Sequence, residues 1–77
     1  MRFWDSSAIV PLLVAESSSA AVMREYELDP EVVAWWATEA ECVSALARLE
    51  REGSLTSPSM VEGLQRLDGL VKAWREV

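Results

Sequence analysis

The chain has 77 residues, of which 51% are hydrophobic, and a formal net charge of −6 with no histidine. That length allows one domain, which buries only about 60% of the surface its unfolded chain exposes, and the apolar content excludes a disordered polymer. The missing histidine excludes a Ser-His-Asp triad and a histidine–cysteine zinc site, and the acidic balance opposes simple electrostatic capture of nucleic acid.

No apolar block approaches the ~20 residues that span a bilayer, so no membrane partner is expected. No basic leader precedes a long apolar segment, so no signal peptide is expected either. Cys42 is the only cysteine. A lone thiol fits a reducing, cytoplasmic setting, and its spacing to Leu46 and Leu49 places it on an apolar helix face as a core residue.

In chain order, residues 2–5 read as a short buried strand. Ser6 or Ser7 can then cap a helix, since a hydroxyl there accepts an orphan backbone N–H. Pro11 removes one helical hydrogen bond, so that helix should be short or kinked. After a polar break over residues 16–19, a second helix runs from about Ser18 to Leu28, with Val22 and Tyr26 one turn apart. Asp29-Pro30 makes a turn, because the residue before proline avoids the α region. Residues 31–36 are rich in strand formers and predict the second strand. Trp35 and Trp36 should then point to opposite faces, with at least one under a helix. Thr38 begins a third helix, and Thr38-Glu39-Ala40-Glu41 matches a capping box. Cys42, Leu46 and Leu49 form its apolar stripe, and Gly53 ends it. Thr56-Ser57-Pro58 opens a fourth helix. Its residues Met60, Leu64, Leu67, Val71 and Trp74 repeat as one buried stripe, while Gly63 and Gly69 each weaken it by roughly 1 kcal/mol. The order is β-α-α-β-α-α, with parallel strands joined by right-handed crossovers. Two strands are few for such a sheet, so it is expected to be incomplete.

The chemistry rests on two acids about one βαβ unit apart. Asp5 ends the first strand and Glu41 lies in the first turn after the second. Parallel neighbours stand roughly 4.8 Å apart, so both acids should face one edge of the sheet. Two such carboxylates repel unless a proton or a cation lies between them. Mg²⁺ suits the site because it takes oxygen ligands, keeps waters and accepts substrate phosphates. Ser7 can orient a metal-bound water. On spacing alone, Asp5 can equally contribute to an N-cap, and Glu41 can be the reciprocal partner of Thr38. Glu39 competes with Glu41, though its angle points more toward the core. Asp68, opposite the apolar stripe, reads as solvated surface.

The run Phe3-Trp4-Asp5-Ser6-Ser7-Ala8-Ile9-Val10-Pro11-Leu12-Leu13-Val14, followed by Glu16, resembles the opening of PIN-domain proteins, in particular VapC-like toxins of prokaryotic toxin–antitoxin pairs. The segment from Thr38 to Gly53 resembles their second acidic block. The resemblance implies a three-layer α/β/α domain with a central parallel sheet, of which residues 1–77 would be the N-terminal portion. It also implies a Mg²⁺- or Mn²⁺-dependent endoribonuclease, usually a homodimer, held inactive by a cognate antitoxin. Asp5 and Glu41 would be its catalytic and metal-binding acids, supported by Ser7 and Thr38. The family's further acids would lie beyond Val77, so this portion alone is expected to be inactive. A competing expectation is a non-catalytic interaction module that docks a partner through the Met60–Trp74 face.

Overall fold

The computed structural model describes residues 1–77, and its order is β-α-α-β-α-α-β. Strand β1 is Arg2–Phe3, β2 is Val32–Ala34 and β3 is Arg75–Glu76. The helices are α1 (Ser6–Leu13), α2 (Ser19–Leu28), α3 (Thr38–Arg51) and α4 (Ser57–Ala73). The three strands lie in the order β1-β2-β3, all parallel. No helix is long and apolar enough to cross a membrane.

The third strand corrects the expected two. Its residues, Arg75 and Glu76, are exposed and carry no strand-like pattern, so backbone pairing alone defines it. The Val77 amide donates to the Ala34 carbonyl, and the Trp36 amide donates to that of Val77. Both predicted strands are also shorter than expected. Trp4 still donates its amide to the Val33 carbonyl, but Asp5 already belongs to the start of α1.

α1 is short, eight residues, with Pro11 inside it. Its apolar residues are spent on the core: Ile9, Val10, Leu12 and Leu13 are all buried. It packs against α2, α3 and α4. The Arg66 guanidinium on α4 donates to the Leu13 carbonyl at 2.8 Å, satisfying one of the orphan carbonyls at the end of α1. α2 buries no residue fully, and only Val22 and Tyr26 lean on the core. Gly53 takes φ +79° after α3, as a glycine at a helix end does. Thr56 Oγ1 caps α4 by accepting the Ser59 amide. The predicted α4 stripe faces inward: Leu67 and Trp74 join the core, and Met60, Leu64 and Val71 pack against it.

The sheet has two unlike faces. Trp4, Val32, Ala34 and Trp74 belong to the core under the helices. By register Phe3, Val33 and Arg75 share the other face, where Phe3 is 58% exposed. On that same face Val33 is only 9% exposed, and residues 1–77 combine four helices with a small parallel sheet. Trp35 and Trp36 also depart from expectation. Both are exposed, and they meet edge to face with centroids 5.3 Å apart rather than packing under a helix.

Candidate functional site

Two helices begin beyond the carboxyl ends of β1 and β2, the edge where ligands bind in open α/β sheets. α1 starts at Asp5. This residue, not Ser6 or Ser7, is the N-cap, because its extended backbone leaves the side chain free to reach back. Asp5 Oδ1 accepts the Ala8 amide at 3.0 Å and the Ser7 hydroxyl at 2.8 Å. Both bonds converge on one oxygen, leaving Oδ2 available. Asp5 thus does serve as a cap, with half of its carboxylate uncommitted.

α3 begins differently. Its N-cap position is Ala37, and no side chain caps it. Thr38 is the first helical residue and is buried, its amide bonded to the Trp35 carbonyl at 2.9 Å. The Thr38–Glu41 capping box therefore does not form. The reason is the αR backbone of Ala37, which takes Thr38 one position into the helix and turns it inward. Glu41 is exposed and enters no ion pair. Glu39 is exposed as well, contrary to the expected inward angle. Asp68 is a surface residue, paired with Lys72 one turn on.

An open cavity of about 610 Å³ lies between α1 and α3. Ser6, Ser7 and Val10 line it from α1, and Glu41, Ser44 and Arg48 line it from α3. Glu16 stands on the same wall set, from the break after α1. The structure thus places Ser7 and Glu41 on the walls of one cavity. Asp5 does not line the cavity itself and connects with it through the Ser7 hydroxyl. Thr38 lies apart, in the core.

Sequence reasoning gave no role to Ser44 or Arg48 and treated Glu16 only as part of a polar break and of a motif. The available signal was the spacing of Glu41, Ser44 and Arg48 at three and four residues, which puts them on one helical face. No group of three or more cysteine or acidic side chains comes together at metal-binding distance.

Cys42, next to Glu41, turns away from the cavity and is fully buried. Burial pushes its thiol up to about 11, and the charges of Glu41 and Glu39 add to the effect. A buried thiol that stays protonated at neutral pH is a poor nucleophile, in keeping with a core residue.

No family model matches the chain, and no curated protein matches it.

Proposed function

We propose that this chain carries part of a divalent-metal-dependent endoribonuclease of the PIN-domain type, the toxin of a toxin–antitoxin pair, with Asp5 and Glu41 as its metal-site acids. One observation supports this most: the α1–α3 cavity joins Glu41, which has no partner, to the Ser7 hydroxyl, which bonds to Asp5. The sequence resemblance and the position at the carboxyl edge of a parallel sheet point the same way.

The residues suit Mg²⁺ or Mn²⁺ in kind. Mg²⁺ is commonly held by one or two carboxylates, with waters and substrate phosphate completing its shell. Asp5 Oδ2 and the Glu41 carboxylate would hold it. When bound, such an ion supplies Lewis acidity toward a phosphodiester oxygen. Ser7 restrains the Asp5 carboxylate by donating to Oδ1, which leaves Oδ2 without a local hydrogen bond. Glu16 is a third acid at the cavity wall. The further acids of the family, the cytoplasmic setting, the homodimer and the cognate antitoxin belong to the same proposal. So does a second helical layer over Phe3, which would give the sheet the two covered faces that parallel sheets require.

The interaction-module alternative uses the Met60–Trp74 face, of which Leu67 and Trp74 are buried and Met60, Leu64 and Val71 are partly buried against the core, so less of that face is open to a partner.

The test is cleavage of labelled single-stranded RNA by the full-length natural protein in Mg²⁺ or Mn²⁺. Asp5→Asn and Glu41→Gln should each abolish it. Asparagine caps a helix about as well as aspartate, so the first substitution removes charge and spares the fold. Full activity in Asp5→Asn would contradict the assignment.

A further inference from the structure

We infer that Arg48 is a phosphate anchor in the α1–α3 cavity, gripping a phosphate of the RNA strand that flanks the bond to be cleaved. The inference rests on the ribonuclease proposal and names how an acidic protein holds its substrate. The chain has seven Lys and Arg residues against thirteen Asp and Glu. Four of the seven are engaged: Arg2, Arg66, Lys72 and Arg75 each pair with a carboxylate. Of the three without an ion pair, Arg24, Arg48 and Arg51, only Arg48 lines the cavity. Glu16 and Glu41 line the same cavity, yet neither is within ion-pair distance of it. The cavity therefore holds one free guanidinium among hydroxyls and acids.

Position separates its role from that of the acids. Arg48 is two helical turns beyond Glu41, about 10 Å along α3. It therefore addresses a neighbouring phosphate rather than the one at Asp5 and Glu41. Ser44 lies between them on the same face and can donate to the strand. A guanidinium offers a planar fork of donors that matches two phosphate oxygens at once, which an ammonium does not. Arg48 also lies in the last turn of α3, where any cation benefits from the helix dipole. That benefit is the same for lysine, so charge and fork can be told apart.

The test is binding of a fluorescent single-stranded oligoribonucleotide to the full-length protein in Ca²⁺ across a salt series, read by anisotropy. The variants are Arg48→Gln, Arg48→Lys and, as a control on the same helix, Arg51→Gln. Arg48→Gln should weaken binding about tenfold and lower the slope of log affinity against log salt by about 0.7, one phosphate contact on a single strand. Arg48→Lys should restore the slope but not the affinity, and Arg51→Gln should match the wild type. Unfolding curves of the variants identify any loss of fold. If the wild type binds RNA and Arg48→Gln behaves as Arg51→Gln does, the anchor is overturned and the ribonuclease proposal stands. If the wild type binds no RNA, both are overturned.

Discussion

Asp5 caps α1 with only one of its two oxygens. A carboxylate has two oxygens, and here Oδ1 takes both local hydrogen bonds. The sequence placed Asp5 at a strand-to-helix junction and offered Ser6, Ser7 and Asp5 alike as caps, of which Asp5 is the one that forms. All three residue types cap well, and only the backbone conformation decides which one does. Thr38 failed for the same reason: its capping-box pattern was good, but the helix starts one residue too early. Cys42 was legible, because apolar spacing around a lone thiol leaves little choice. Its burial has a measurable consequence. Below its ordinary value of 9.0 the thiol is protonated in both folded and unfolded chains, and the stabilisation is complete. Between pH 9 and about 11 only the unfolded chain releases the proton, so stability falls as pH rises. The loss amounts to roughly 2–3 kcal/mol. Urea unfolding at pH 8 and pH 11 should show that much more loss in the wild type than in Cys42→Ala. Equal losses would mean that the thiol is not buried.

Among the elements, the four helices were readable because each has a cap, an apolar period or a glycine stop. The third strand was not. Two charged residues at an edge form no alternation, and they pair only because β2 offers an open side. The α4 glycines looked alike in the sequence and differ in the fold. A Cβ on Gly69 would meet nothing within 4 Å, whereas one on Gly63 would stand 3.1 Å from Val14 Cγ1 and 3.4 Å from Leu46 Cδ1. Gly63 thus lets α4 approach α1 and α3 closely. Gly69→Ala should stabilise the protein by about 1 kcal/mol through helix propensity. Gly63→Ala should leave stability unchanged or lower it by up to about 2 kcal/mol, because crowding offsets that gain. Urea unfolding of the two variants decides the point, and equal stabilisation would show that α4 packs less closely.

For the molecule as a whole, composition and element order identified an α/β fold with a parallel sheet, and missed which sheet face is covered. Neither short strand carries enough residues to show alternation. Adjacent residues of the first strand region now mark the difference: Trp4 is 4% exposed and Phe3 58%. Trp4→Ala should cost about 3–5 kcal/mol, a large share of the roughly 4–12 kcal/mol expected for a chain of this size. Phe3→Thr should cost under about 1 kcal/mol by the same unfolding assay. Comparable costs would mean that both faces are packed. Both helix starts at one sheet edge followed from parallel pairing, but the Ser7–Asp5 hydrogen bond and the cavity that Ser7 and Glu41 line depended on side-chain geometry that no spacing encodes. The most direct test of that connection is Mn²⁺ titration followed by backbone amide NMR. One equivalent should broaden the amides of Ser6–Ala8 and Ala40–Cys42 together, and Asp5→Asn should abolish both effects. Broadening confined to one of the two helix starts, or surviving in Asp5→Asn, would contradict a shared ion.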